Sequence, residues 1–243
     1  MATAAINNAY PYSRDQRFFT RMAIGMAAFI VFGFAQWALR GFVAPRTVPV
    51  WVHLHGVAML SWLGLLITQN LLVGSGNIAL HRKLGWLGLA LVLVIAGLGM
   101  FTGRMALELH RVPPFFTDAY FLALTHAEAT AFPLIVGAGI AMRRRTQWHR
   151  RLMLGATIIV MEPAFGRLVP APLLGPLLTA LTGLALQLGV LAIIARHDIR
   201  ETGTIHPATR VLALVLLLLS ATIHALSVFP PFVSLAQAIA AGG

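Results

Sequence analysis

The chain of 243 residues contains no cysteine, and charged residues make up only 10% of it. Without cysteine it cannot form a disulfide framework or a thiolate metal site, so any metal must be bound by other side chains, chiefly histidine and carboxylates. A soluble domain of this length cannot cover its surface with so little charge. The hydrophobic content of 58% and the mean hydropathy of +0.82 are those of an integral membrane protein.

Long apolar runs recur along the chain with short polar segments between them. Since a helix needs about 20 apolar residues to cross a bilayer, these runs predict an all-α bundle of seven transmembrane helices. The predicted helices cover residues 22–43, 51–73, 82–103, 117–142, 151–169, 172–195 and 209–229. The bundle, 22–229, has a histidine-bearing four-helix core at 51–169, and it is flanked by an N-terminal segment, 1–21, without a signal peptide and a short tail, 230–243.

The basic residues predict the orientation of the bundle. Thirteen of the 18 lysine and arginine residues lie on the side that holds the N-terminus, and five lie on the other side. The positive-inside rule then places the N-terminus in the cytoplasm and the C-terminus outside. We predict a multi-pass protein of a bacterial cytoplasmic (inner) membrane, with the lipid bilayer as partner. The net charge of +11 does not predict nucleic-acid binding, because the basic residues lie between apolar runs rather than in one stripe.

Nine histidines are an excess beside seven acidic residues, because ionisable groups within membrane spans are costly. His53 and His55 enter the second predicted helix from the outer side, and His126 lies in the outer half of the fourth. His81 opens the third helix and His149 the fifth, both from the inner side. At ~1.5 Å rise per residue, the two levels lie roughly 20 Å apart. The remaining histidines of loops and helix starts are expected to be solvated: His110, His197 and His206.

Two stacked histidine pairs on alternate helices are what two b-type haems require, since each iron takes axial imidazoles from facing helices. In this interpretation His55 and His126 bind an outer haem, and His81 and His149 bind an inner haem. Small residues near these histidines would open a slot for each macrocycle: Gly56, Gly85, Gly88 and Gly155.

Two further choices belong to this interpretation. His53 and His55 point about 200° apart on one helix, so at most one of them faces a given partner helix. His55 is favoured because Gln69 continues its face and would prefer protein to lipid. Three arginines lie beside the inner pair, where they would neutralise haem propionates: Arg82, Arg150 and Arg151.

These residues carry a resemblance to known membrane proteins. The order and spacing of the histidines over residues 50–155 resemble those of two-haem transmembrane b-type cytochromes, including the ascorbate-dependent group. That resemblance implies electron transport by an oxidoreductase with a quinone or a small redox partner. The runs His-Leu-His-Gly, Leu-His-Arg-Lys-Leu-Gly and His-Arg-Arg-Leu-Met are similar to those of a widespread family of bacterial seven-helix membrane proteins, and this second resemblance implies the fold alone.

A rival interpretation uses polar groups that fall in the outer halves of the predicted helices: His53, His55, His126, Glu128, Glu162, Arg167 and His224. Histidines with a carboxylate suit zinc, copper or non-haem iron, so the cluster predicts a membrane-embedded metal-dependent enzyme whose site opens to the periplasm. The more ordinary role of Glu162 is an ion pair with Arg167. A transporter or a cofactor-assembly factor would use the same groups without a permanent cofactor.

Overall fold

The computed structural model describes residues 9–169 and 171–242, and every regular element in these ranges is helical. The helices are α1 (Ala9–Leu39), α2 (Val50–Gly74), α3 (Ile78–Glu108), α4 (Asp118–Ala141), α5 (Thr146–Ile159), α6 (Glu162–Gly166), α7 (Ala171–Thr202), α8 (Pro207–Val228) and α9 (Pro230–Ala240), and a 3₁₀ turn covers Pro45–Thr47. The all-α class is confirmed. Residues 1–8 of the predicted N-terminal segment and residue 243 of the predicted tail lie outside the described ranges.

Six of the described helices are long and apolar enough to cross a membrane, namely α1 to α4, α7 and α8. Their outward faces carry large apolar side chains such as Phe32, Trp86 and Leu134, each more than half exposed. Apolar surface on this scale is unfavourable in water and suits the hydrocarbon of a bilayer. The chain is therefore a multi-pass membrane protein.

Local capping chemistry sets several helix ends. The Asn77 side chain accepts from Leu80 N (3.2 Å) at the start of α3, and Thr117 accepts from Tyr120 N (3.1 Å) at the start of α4. Gly76, with φ 79°, makes the turn between α2 and α3. At the N-terminus, α1 begins at Ala9 rather than at residue 22, so the polar residues around Asp15 belong to the helix.

Helix α5 forms the centre of the bundle. Its residues Leu154, Ala156, Ile158 and Ile159 are at most 1% exposed, and side chains of α1, α2, α4, α7 and α8 surround them. Because these side chains are almost completely covered by other helices, α5 packs against protein rather than against lipid.

The predicted continuous span 151–169 is wrong, because this region forms α5 and the short α6, and neither alone is long enough to cross a bilayer. Pro163 lacks the N–H that would bond to the Ile159 carbonyl, and its ring clashes with that carbonyl in a continuous helix. Gln187 of α7 donates to the carbonyl oxygens of Ile158 (3.3 Å) and Ile159 (3.1 Å) instead. The side chain thus satisfies backbone groups that the break leaves without helical partners.

Together, α5 and α6 run the length of α1. Gln147 at the start of α5 donates to Asp15 near one end of α1 (3.2 Å). Gln36 near the other end of α1 donates to the Arg167 carbonyl (3.1 Å), just after α6. The broken segment therefore connects the two ends of the bundle.

The C-terminal residues, predicted as a short tail, contain helix α9. Ala236 of this helix is fully buried against Leu107 of α3 and against Ala119 and Leu122 of α4. The helix covers the ends of α3 and α4 that lie opposite Asp15.

Candidate functional site

The structure brings the inner histidine pair into ring contact. His81 in the first turn of α3 and His149 in the first turn of α5 have ring centroids 6.2 Å apart and ring planes at 86°. Two imidazoles that bind one metal ion from opposite sides have centroids about 6 Å apart, since each metal–nitrogen bond is about 2.0 Å and each ring adds a little over 1 Å. The centroid separation of His81 and His149 is close to that value.

The hydrogen bonds of these rings leave nitrogen atoms for a ligand. His149 Nδ1 lies 2.8 Å from the Gly139 carbonyl, so it carries the proton and Nε2 keeps its lone pair. In His81 the ring contacts the main chain of Gln69, while Nδ1 is buried and has no hydrogen-bond partner. A carbonyl that fixes one imidazole tautomer is the usual support of a metal-binding histidine.

One position beside His81 has room for a small side chain. At Gly85, one turn after His81, a Cβ would meet only the Gln69 amide nitrogen, at 3.9 Å. The other two glycines of the inner slot were predicted wrongly: a Cβ at Gly88 would lie 2.9 Å from Leu65, and the position beside Gly155 is filled by Leu212 of α8. These two glycines permit close helix packing and do not open a slot.

For the outer pair, the structure places His55 in the interior and His53 on the outside. His53 is exposed, whereas His55 is half-buried and its Nδ1 is buried without a hydrogen-bond partner. A Cβ at Gly99 of α3 would lie 3.5 Å from the His55 ring and 3.6 Å from Ala129 of α4. The His55 ring therefore lies against α3 and close to α4, the two helices that flank the predicted outer site.

His126 lies three residues before Ala129, one turn along α4. Its Nδ1 lies 3.0 Å from the Leu122 carbonyl, which leaves Nε2 as the nitrogen with a lone pair, as in His149. In the part of the chain that the structure describes, no ring contact joins His126 to His55 directly. The His55 ring thus lies near the turn of α4 that follows His126, but the two outer rings are not in contact as the two inner rings are.

The arginines beside the inner pair have different surroundings. Arg82 is exposed next to His81. Arg150 is buried, forms an ion pair with Asp15 and lies over the Phe19 ring at 4.3 Å. Asp15 also accepts from His197 Nε2 (2.8 Å), so His197 is buried and its predicted solvation is wrong. Arg150 therefore joins α5 to α1 and α7 in this structure.

Part of the rival cluster lies around a second site. Glu128, Glu162 and His224 line a cavity of about 20 Å³, which has room for about one water molecule. His224 Nδ1 lies 2.8 Å from the Ser220 carbonyl, and its buried Nε2 has no hydrogen-bond partner. Within residues 9–169 and 171–242, no three His, Asp or Glu side chains come close enough to hold a metal ion together.

The predicted ion pair of Glu162 with Arg167 is not formed within 4.0 Å among the described residues. Arg167 instead donates to the Pro163 carbonyl (2.5 Å) and lies over the Phe34 ring at 3.9 Å. The two side chains interact only over a longer distance. Glu162 is therefore directed to the cavity and Arg167 to the face of α1.

Sequence reasoning did not identify Tyr120 and Gln187, which line the same cavity. The ring of Tyr120 lies 5.6 Å from that of His224. A polar Gln187 within the apolar run of α7 was an available signal, because an amide in a membrane span needs a protein partner. Tyr120 gave no such signal, since tyrosine is common near membrane interfaces.

Comparison of the chain with protein-family models, with curated proteins and with solved structures finds no match.

Proposed function

We propose that the chain is a two-haem b-type membrane protein that carries electrons across a bacterial cytoplasmic membrane. His81 and His149 would bind the inner haem, and His55 and His126 the outer haem. The observation that carries the proposal is the 6.2 Å centroid separation of the two inner imidazoles, which are on different helices.

The protein residues have distinct parts in this proposal. A bound haem would supply a one-electron iron couple. The carbonyls of Gly139 and Leu122 orient the rings of His149 and His126 and keep one nitrogen of each ring available. The apolar neighbours Trp62 and Phe132, both nearly fully buried, exclude water between the two levels.

The proposed topology has seven crossings, with α5 and α6 counted as one broken crossing. It places the N-terminal end of α1 in the cytoplasm and α9 outside, in agreement with the excess of basic residues on the N-terminal side. The two histidine levels would then lie near the two surfaces of the membrane, which is the arrangement that transmembrane electron transfer needs.

Haem stoichiometry in single variants tests the proposal. We expect about two haems per chain in the wild type and about one in each of His81→Ala and His149→Ala, because both ligands serve the same iron. His53→Ala is the matched control, since His53 shares helix α2 with His55 but is exposed, and it should keep both haems. Retention of both haems by His81→Ala and His149→Ala would refute the inner site.

A metal-dependent enzyme is the second candidate function. Its candidate ligands are Glu128, Glu162 and His224, which line one small cavity, and the His224 Nε2 there has no hydrogen-bond partner. Among the described residues no three such side chains are close enough to hold a metal ion together, so binding would require these side chains to move closer to one another. Zinc, copper or non-haem iron is the expected ion. Stoichiometric metal that His224→Ala and Glu128→Gln both remove would support this candidate, and an unchanged metal content in both variants would exclude it.

A further inference from the structure

A cavity of about 530 Å³ lies between α1 and α7, at the end of the bundle that holds Asp15. Four arginines line it: Arg14, Arg17, Arg21 and Arg200. The volume is within the range of sites that bind small molecules, about 300–1,000 Å³. None of the histidines of the proposed haem sites lines this cavity, which we call the basic pocket.

The positive charge of the basic pocket is poorly compensated. Arg14 has a carboxylate partner, Glu201, at 3.7 Å. In the described part of the chain, Arg17, Arg21 and Arg200 have no carboxylate within 4.0 Å. Residues 1–13 contain no acidic side chain.

The spacing of the arginines on α1 also points to an external anion. Arg14, Arg17 and Arg21 follow one another at three and four residues, which places them on one face of the helix. Like charges at this spacing destabilise a helix unless an anion lies between them. Guanidinium groups in such an array suit phosphate, which they bind with two parallel hydrogen bonds.

The floor of the basic pocket is formed by side chains that pack against one another. The Phe18 ring stacks on the His197 ring, with centroids 3.7 Å apart and planes at 7°. Asp15 fixes the other side of His197 through a 2.8 Å hydrogen bond. These contacts join α1 to α7 at the base of the pocket.

The walls of the basic pocket continue into apolar helix faces. Ile24 lies two turns after Arg17 on α1, and Ile193 lies two turns before Arg200 on α7. Both isoleucines are about half exposed. A ligand with a phosphate group and an apolar portion would match the arginines and these faces together, whereas free phosphate would leave the apolar faces unused.

We infer that the basic pocket binds the phosphate headgroup of an anionic lipid, with the acyl chains along the exposed faces of α1 and α7. Basic pockets between membrane helices are a common way to retain such lipids. The inference is independent of the proposed haem sites, because it uses other residues.

Native mass spectrometry of the full chain in detergent tests the inference, with phosphatidylglycerol as the titrated lipid. We expect Arg17→Gln/Arg21→Gln to raise the apparent Kd at least about tenfold. The matched control, Arg143→Gln/Arg144→Gln, removes the same charge from exposed positions at the same end of the bundle and should change the Kd less than about twofold. Phosphatidylcholine should bind the wild type weakly.

Three results would overturn the inference. Equal weakening in both double variants would mean that only the overall surface charge matters. Equal binding of phosphatidylcholine would mean that the lipid charge is not recognised, and displacement of the lipid by an equal concentration of inorganic phosphate would mean that the apolar faces do not contribute. Should the pocket variant lose its fold, Arg200→Gln measures the same loss from the opposite wall.

Discussion

The ion pair between Arg151 of α5 and Asp198 of α7 is the clearest stability determinant of the bundle end. Both side chains are nearly inaccessible, and the guanidinium Nε and Nη2 atoms lie 3.0 and 2.5 Å from Asp198 Oδ1. Asp198 Oδ2 accepts from Thr209 Oγ1 (2.6 Å) and from His206 N (3.1 Å), which joins α8 to the pair. Asp198→Asn keeps the size of the side chain but leaves Arg151 as a buried charge without its counterion.

Removal of one partner from a buried ion pair costs about 3–5 kcal/mol. For a chain of this size, that corresponds to a fall in Tm of roughly 6–20 °C. The exposed pair Arg104–Glu108, with a 2.7 Å contact, is the control. Glu108→Gln should cost less than about 1 kcal/mol, because solvent screens an exposed pair.

Denaturant unfolding in mixed micelles, followed by tryptophan fluorescence, measures both free energies. The double variant Arg151→Leu/Asp198→Asn should be less destabilised than the sum of its single variants by about 1–3 kcal/mol, because neither charge remains. Equal destabilisation by Asp198→Asn and Glu108→Gln would refute the argument that burial makes this pair important.

Two other predictions address helix packing and pH. A Cβ at Gly103 of α3 would lie 2.8 Å from the Thr125 Cβ, so Gly103→Val should lower the free energy of unfolding by about 1–3 kcal/mol. The control is Gly97→Val, which should change this free energy little because the space around Gly97 is open. Equal effects of the two substitutions would contradict the close packing at Gly103. Burial and the nearby Arg151 lower the pKa of His206, whose neutral Nδ1 accepts from Ala208 N (3.1 Å) and caps α8. The contribution of His206 to stability is complete above pH ~6.5 and is lost as the pH falls below that value. The variant His206→Asn keeps a side chain that can cap α8 but does not titrate. Between pH ~7.5 and ~5 the wild type should therefore lose more free energy of unfolding than this variant. Identical pH dependence in melting curves of the two proteins would contradict this.

Hydropathy predicted the long helices well, because a lipid-facing helix must be apolar over its whole length. It could not predict the break at Pro163, since the partner that makes the break tolerable, Gln187, is 24 positions further along the chain. The start of α1 was predicted too late for a similar reason. The polar residues of its first turns, Asp15 among them, are stabilised by pairing with Arg150 and His197, and no local pattern contains that information.

The histidine pairs were predicted from their depth along the helices, and depth alone can be read from residue number. The choice of His55 rested on helix periodicity, and the structure places that side chain inside. The sequence could not show whether Gly88 and Gly155 open a slot, because this depends on how the helices are rotated and on which side chains face the glycines. In the structure Leu65 fills the space beside Gly88, and Leu212 fills the space beside Gly155. Distances between helices, such as the 6.2 Å between His81 and His149, follow only from the packed bundle.

The absorption spectrum of the purified wild-type protein, recorded with its iron content, tests the central claim most directly. The account predicts a red protein with the reduced-minus-oxidised spectrum of six-coordinate b-type haem and about two irons per chain. A colourless protein, whether it contains zinc, copper, non-haem iron or no metal at all, would contradict it.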